Sequence, residues 1–511
     1  MDVTLSSIFT SIIIVAFIRW SFQLINWVWL RPKKLEKCLR NQGLNGNPYR
    51  IFIGDMKDLI RFIKETQPRS IKISDDLAPR ISHYYYQSIH KFGENSFIWF
   101  GPSPRLNIED PELFKEILSK PDVFQKPAPD LGSIIVGGLL FLEGEKWAKH
   151  REIVTPAFHL HKLKNTLLAI RLSCSSMFHK WEALVWSNER SCEIDVWPYL
   201  EDLSGDMISR TAFASSHEEG IRIFQLQKEQ VKLALEILQW SFIPGWRYFP
   251  TKANRCLKAI SKEIQSLLRG IVSKREKAME RGETVSDDLL GLLMKSNLQE
   301  IQEHGNKNMG MSIEDVIEEC KLFYFAGSET TSNFLVWTMV LLSQHQEWQA
   351  RAREEVFQVF GKEEPTAEGL HHLKTVTMIL QEVLRLYPPA PLTVRTCTET
   401  VKLKNMTLPA GVQMSVLIGQ LHHNPKIWGD DSKEFKPQRF LQGISGVSYM
   451  PFSSGPRICI GQNLAMIEAK TALAMILQRF SFEFSSSYKH SPFPIITLQP
   501  QYGAPLILQK L

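Results

Sequence analysis

The chain has 511 residues, of which 44% are hydrophobic, 22% charged and 10% aromatic, with only 28 Gly and 27 Pro. A disordered, collagenous or low-complexity chain is excluded, and a deep core is within reach of this length. Sixty Lys and Arg against 54 Asp and Glu leave a formal charge of +6, too small and too dispersed to indicate nucleic acid as a partner.

From Val3 to Leu30 the only charge is Arg19, amid an apolar run from Ile8 to Ile18 and a second one from Trp27 to Leu30. About 20 apolar residues suffice to cross a bilayer, so residues 1–30 are expected to be a membrane anchor, with Trp20, Trp27 and Trp29 at the interface. Asp2 precedes the run and Arg31, Lys33, Lys34, Lys37 and Arg40 follow it. These flanks oppose a cleaved signal and put Met1 in the lumen and the rest in the cytosol. Asn405-Met406-Thr407 is a glycosylation sequon that this orientation leaves unmodified. Residues 31–50 read as a basic hinge, and 51–511, free of repeats and long linkers, as one catalytic domain.

The remaining elements suggest a mainly α fold with small β-sheets. Strand-like runs occur at Ser96 to Phe100, Leu392 to Thr398, Val412 to Leu417 and Pro494 to Leu498. Residues 276–287 and 302–311 read as exposed loops or frayed ends. Ser312, with Asp315 three residues on, can cap a helix running to His345, apolar on nearly every side as a central buried helix should be. Two more helices are expected over Trp348 to Phe360 and Thr375 to Leu386, the second stopped by Pro388 and Pro389.

Seven cysteines, at 38, 174, 192, 256, 320, 397 and 459, form neither C-x-x-C nor paired zinc spacing, and a disulfide framework is not expected. No H-E-x-x-H pattern occurs among the 14 His. Cys459 is distinguished by its frame, Phe452-Ser453-Ser454-Gly455-Pro456-Arg457-Ile458-Cys459-Ile460-Gly461. Two glycines permit close backbone approach on either side of the sulfur, amides can stabilise a thiolate, and Arg457 supplies a nearby cation. This segment resembles the haem-binding loop F-x-x-G-x-R-x-C-x-G of the cytochrome P450 family. The resemblance implies the cytochrome P450 fold and haem b (iron protoporphyrin IX) on a Cys459 axial thiolate. Phe452, Arg457 and Gly461 then belong to the cofactor site, with Arg457 aimed at a propionate.

Further family motifs follow the family's order. Ala326-Gly327-Ser328-Glu329-Thr330-Thr331 is similar to the oxygen-activation motif, with Thr330 hydrogen-bonding dioxygen and a proton-delivering water, Glu329 feeding that relay, and Gly327 permitting a local helix break. A small-residue packing notch is the other reading of the same stretch. Glu382 and Arg385, with Arg439 of Pro437-Gln438-Arg439-Phe440, resemble a buried Glu-Arg-Arg network that is structural, and Gln438 stands where many relatives carry an acid. Trp147 and Arg151 match a W-x-x-x-R pair that reaches a propionate, and Arg395 falls where relatives place another such cation.

The family resemblance implies a monooxygenase using O2 and electrons from a membrane-bound NADPH–cytochrome P450 reductase, since no G-x-G-x-x-G dinucleotide motif occurs in the chain. Lys146, Lys149, Arg151, Lys162 and Lys164 form either a cationic docking face or an ordinary solvated charge run. Substrate linings are expected at Leu131 to Leu140, near Phe325 and Ser328, and at Ala390 to Val394. The patch Trp240 to Trp246 reads equally as a membrane-dipping segment or as core.

The runs Leu335 to Leu342, Gln349 to Val356 and Trp29 to Glu36 most resemble plant family 72 and its clan. That resemblance implies an endoplasmic reticulum membrane protein acting on a lipophilic terpenoid: a gibberellin, triterpenoid or iridoid. The alternatives are a haem-thiolate isomerase or lyase, against which Thr330 and Glu329 argue, and a non-enzymatic haem- or steroid-binding membrane protein.

Overall fold

A computed structural model describes residues 2–66, 69–127, 132–186, 191–213, 217–237, 243, 245–282, 288–306, 309–443 and 448–511. The helices that matter for the site are α1 (Asp2–Ile25), α2 (Arg31–Arg40), α3 (Gly144–Val154), α4 (Leu167–Trp186), α5 (Val196–Phe213), α6 (Ile313–Gln344), α7 (Gln346–Phe360), α8 (Lys374–Leu386) and α9 (Gln462–Arg479).

One π turn, Asn26–Leu30, joins α1 to α2, and the helical run Ser7–Arg40 contains an 18-residue window of mean hydropathy 1.9, long and apolar enough to cross a membrane. A π turn leaves a backbone carbonyl without its usual helical partner, and Tyr49 Oη donates to Val28 O at 2.6 Å. The stretch expected as a basic hinge is folded. Leu35, Leu39, Leu44 and Tyr49 are buried with Phe97 and Trp99, because α2 alternates its basic residues with leucines on one face.

A six-stranded sheet takes the order Asn45–Gly46, Ser96–Phe100, Ser103–Ile108, Gln413–Val416, Thr393–Cys397 and Phe124–Gln125. A second sheet sets Phe480–Phe484 and Ser191–Asp195 on either side of Pro505–Lys510. The run expected as a strand from Pro494 to Leu498 is a turn. Pro492–Pro494 pairs antiparallel with Leu498–Pro500, and Ile495 N–H closes the corner on Thr497 O at 3.1 Å. The expected loops are shorter than anticipated, because helices Lys252–Glu280 and Leu289–His304 extend into them. Met311 beyond them is buried, while 283–287 and 307–308 lie outside the described residues.

The central helix α6 is fixed at its start by a capping box, Ser312 Oγ accepting from Asp315 N–H and the Asp315 carboxylate accepting from Ser312 N–H, which satisfies two orphan donors. Its two ends serve two cores. Val316 to Phe325 pack with Ile208, Phe158 and the helix Leu289–His304, and Phe334 to Leu342 pack with α4, α5, α7, α8 and α9. Each fully buried Leu, Val or Phe contributes roughly 1.5–3 kcal/mol, so α6 is held rigidly from both ends. The polar stretch 326–333 lies between the two cores.

Candidate active site

Residues 450–461 fold back on themselves and run straight into α9. Ser453 N–H donates to Met450 O at 3.0 Å, Ile458 N–H to Gly455 O at 3.0 Å and Cys459 N–H to Phe452 O at 2.9 Å. Gly455 has φ +73°, and a Cβ there would meet the Leu118 carbonyl carbon at 2.9 Å, so only glycine fits. Gly461 differs: it has φ −85° at the start of α9, and an added Cβ would sit 3.9 Å from Cys459 Sγ, an ordinary contact. The close approach expected beside the sulfur on both sides is therefore made once, by Gly455, and to Leu118. What Gly461 gives the sulfur is its amide.

Protein surrounds Cys459, yet its sulfur keeps an open face. Burial pushes the thiol up, and the Gly461 amide and Arg151 act against that shift. The cation influencing the sulfur is thus Arg151 rather than the expected Arg457. Burial outweighs both helpers in the chain itself, and a bound metal would favour the thiolate.

Arg457 points elsewhere. Its Nη2 donates to Leu142 O at 2.8 Å and to the Glu143 carboxylate, and its guanidinium lies over Trp147 at 4.4 Å from the ring centroid. Its Nε and Nη1 are buried without a hydrogen-bond partner among the described residues. Arg395 donates to Thr393 Oγ1 at 2.8 Å and Val394 O at 2.9 Å. Burial and then Arg457 push it down to about 10. Lys126, which the sequence did not single out, donates to Leu140 O at 2.5 Å, and burial followed by Arg395 and Arg457 pushes it down to about 7.

Lys126, Arg395 and Arg457 therefore share Glu143, with Asp122 acting on Arg457 as well, and two guanidinium nitrogens of Arg457 lack acceptors among the described residues. Such a cluster is costly unless further anion joins it. The two propionates of a haem would supply that charge and the exposed Cys459 would supply a ligand, so the residues fit the group. Trp147 and Arg151 both belong to this cluster from one turn of α3, Trp147 through Arg457 and Arg151 through Cys459.

The stretch 326–333 remains helical throughout, so the local break expected at Gly327 does not occur. Gly327 is instead a packing notch, where an added Cβ would meet Ile208 Cδ1 at 2.7 Å. Ser204 Oγ from α5 donates to Gly327 O at 3.3 Å and Ser328 O at 2.7 Å. Ser328, expected beside substrate, is buried and donates to Tyr324 O. Residues 326 and 330 share the other face: Ala326 is exposed, and Thr330 Oγ1 donates to Ala326 O at 2.7 Å. With its proton so committed, the Thr330 oxygen faces outward as an acceptor. Glu329 Oε1 accepts from Thr497 Oγ1 at 2.7 Å and from Gln499 Nε2. On the third side Thr331 Oγ1 donates to Glu468 Oε2 at 3.1 Å, which ties α6 to α9 seven residues beyond Gly461.

Arg385 grips Glu382 with two 2.7 Å hydrogen bonds and donates to the carbonyls of His422, Ser432 and Glu434. Arg439 Nε stands 3.5 Å from Glu382 Oε1, and its Nη1 lies 2.7 Å from Asp431 Oδ1. Asp431 supplies the acid contact that Gln438 lacks. Glu382 and Arg385 are fully buried, so this is a completed ionic knot rather than a surface pair.

Two other expectations change. Of the basic face, Arg151 turns inward to Cys459 and Lys146 pairs with Asp315 at 2.7 Å. In the patch 240–246, Trp246 is buried, whereas the following Tyr248 and Phe249 are exposed; residues 240–242 and 244 lie outside the described residues, as does Leu131.

The family model described as Cytochrome P450 matches residues 76–504. Cytochrome P450 CYP72A219 of Panax ginseng is 55% identical over 514 residues, covering 99% of both chains. Cytochrome P450 72A15 of Arabidopsis thaliana is 52% identical over 517 residues and the full length of both. Cytochrome P450 72A397 of Kalopanax septemlobus is 53% identical over 498 residues, 96% of each.

Proposed function

The chain belongs to the cytochrome P450 family, as a haem-thiolate monooxygenase with 72A relatives, and from that premise we propose that it hydroxylates a lipophilic terpenoid, a gibberellin-type hormone being the first candidate. Cys459 would hold the haem iron through its thiolate. Trp147, Arg151, Arg395 and Arg457 form the cofactor cradle, with Lys126 beside them. The observation that carries this assignment is the cluster of Lys126, Arg395 and Arg457, in which Arg457 Nε and Nη1, two residues before Cys459, have no hydrogen-bond partner among the described residues.

The haem, when bound, supplies oxygen activation, with the thiolate donating electron density to the metal. The protein's own part is to hold and move protons. Thr330 offers an acceptor oxygen on the open face of α6, fixed in rotamer by its bond to Ala326 O. Glu329 lies next along the helix as the acid that passes protons to it through water. Glu382, Arg385 and Arg439 keep the segment before the Cys459 loop in place.

Electrons come from NADPH–cytochrome P450 reductase. Residues 1–30 anchor the chain in the endoplasmic reticulum membrane with the N-terminus lumenal, and 51–511 work on the cytosolic side. The exposed Tyr248 and Phe249 support contact of the domain with lipid.

The test is reduced-CO difference spectroscopy of wild type and Cys459→Ser, followed by a terpenoid panel with reductase and NADPH. Wild type is expected to show the thiolate-haem band and Cys459→Ser to lose it. Haem incorporated in wild type without that band would falsify the ligand assignment. A terpenoid panel giving no NADPH-dependent product overturns the substrate class.

A further inference from the structure

Glu329, Asn333 and Trp337 stand at i, i+4 and i+8, one face of α6, and all three bond the same short segment, 497–499. Thr497 Oγ1 donates to Glu329 Oε1 at 2.7 Å, and Gln499 Nε2 donates to the same oxygen. Asn333 Nδ2 donates to Thr497 Oγ1 at 3.1 Å and to Glu329 O at 2.8 Å. Trp337 Nε1 donates to Leu498 O at 2.8 Å, while Leu498 N–H is pinned from the other side by Pro389 O at 3.0 Å. The strand Leu498–Pro500 of the C-terminal hairpin is thus zipped along the central helix.

This pattern fixes proton positions as well as heavy atoms. The Thr497 hydroxyl has one proton, and its oxygen already accepts from Asn333, so that proton is directed at Glu329. Both donors converge on Oε1, and Oε2 accepts from none of the described residues. No cation pairs with Glu329 among the described residues. The charged groups facing it are Glu201 of α5, itself paired with Lys228 at 2.9 Å; the hairpin segment 492–500 carries no charge. The carboxylate is therefore held by neutral donors alone, with one oxygen fixed and the other free to exchange a proton.

We propose that Thr497 and Gln499 are positioning residues, which hold Glu329 through Oε1 and leave Oε2 as the atom that passes protons towards Thr330. The role deepens the proposed monooxygenase function and rests on Glu329 and Thr330 forming its proton route. Neither donor touches the reacting atoms. Their effect is exerted through Glu329: donors that hold Oε1 set where Oε2 points, and removing one lets the carboxylate turn.

The assay uses holoenzyme with reductase, NADPH and O2 and no added substrate. One NADPH and one proton reduce O2 to H2O2, two NADPH and two protons reduce it to two waters, and a delayed proton favours the former. Peroxide released per NADPH consumed, followed against pH, therefore reads the proton route. Thr497→Val and Gln499→Leu are each expected to raise peroxide released per NADPH about fivefold across the profile. Thr497→Ser restores the wild-type ratio, and Thr497→Val adds nothing in a Glu329→Gln background. Thermal midpoints of the same four-way cycle, Thr497→Val with Glu329→Gln, are expected to be non-additive, a readout independent of turnover. Should Thr497→Val not fold, Gln499→Leu removes the other donor. A wild-type ratio across the profile in these variants overturns the positioning role alone. Wild type that consumes no NADPH with reductase overturns the monooxygenase function, and the positioning role with it.

Discussion

Glu468→Gln isolates the energetic cost of a buried acid that has no ionic partner. Glu468 on α9 is 2% exposed. Its Oε2 accepts from Thr331 Oγ1 at 3.1 Å, and its Oε1 has no partner among the described residues. Cys174 of α4 senses its charge together with those of Asp206 of α5 and Arg479, yet no cation comes within ion-pair distance among the described residues. Burial pushes the carboxyl from an ordinary 4.5 up to about 8, against a smaller opposing effect of the Thr331 hydrogen bond.

The sign follows from the raised value. The protonated acid is the native form, so stability is fully present below pH about 4.5 and is lost as pH rises through about 8. A shift of this size corresponds to about 3–5 kcal/mol by pH 9, at roughly 1.4 kcal/mol per pKa unit. Glutamine is neutral throughout and keeps the shape, so wild type and Glu468→Gln should match below about pH 4.5, while the variant gains from there until about pH 8. For a domain of this size roughly 1 kcal/mol corresponds to 1 °C, giving an expected advantage of about 3–5 °C at pH 9. Scanning calorimetry or fluorimetry of the solubilised holoprotein across pH 5–9 measures it. Parallel loss of stability in both proteins with rising pH would refute the reasoning, because Glu468 would then be ionised natively with no penalty to remove.

Arg385→Leu strands the fully buried Glu382 carboxylate and is expected to cost about 3–5 kcal/mol, read as a lower unfolding midpoint and a lower yield of CO-binding protein. Gly455→Ala combines a left-handed φ with a collision against the Leu118 backbone, and expressed protein should carry little or no haem by absorbance; haem content equal to wild type contradicts the steric account. Gly327→Ala should lower the unfolding midpoint by an amount that Ile208→Val partly restores, since the added methyl meets the end of that side chain; equal losses with and without Ile208→Val exclude the notch. Asn405 is exposed in the turn between Val401–Leu403 and Met406–Leu408, so geometry permits its glycosylation. A glycosidase-insensitive mass in plant cells supports the cytosolic orientation, and a sensitive shift at Asn405 reverses it.

What was legible in the sequence was local. The capping box of α6, the ends of α7 and α8, and the glycine-framed Cys459 loop are each written within a few consecutive residues, because hydrogen-bond closure and allowed φ act over one turn. Glu382 and Arg385 were legible for the same reason, at i and i+3 of one helix. Their anchors were not: Asp431 and the carbonyls of His422, Ser432 and Glu434 come from a separate segment. Lys126 and Glu143 carried no pattern at all, and their part in the cation cluster appears only when three loops meet. Arg151 rather than Arg457 acts on the sulfur because the direction of a long side chain is chosen by packing and not by spacing.

Length, apolar periodicity and the short motifs determined that this chain would build an anchor, a long central helix and a cysteine loop suited to haem. Those outcomes depend on backbone sterics and on burial of one face of each element, both encoded in nearby residues. Tertiary structure alone decided what holds each carboxylate: Glu329 is held by a hairpin some 170 positions away, Glu468 by a single threonine, and Glu143 sits among three cations. Desolvation and electrostatic pairing are set by distances across the folded core, and no window of sequence contains them.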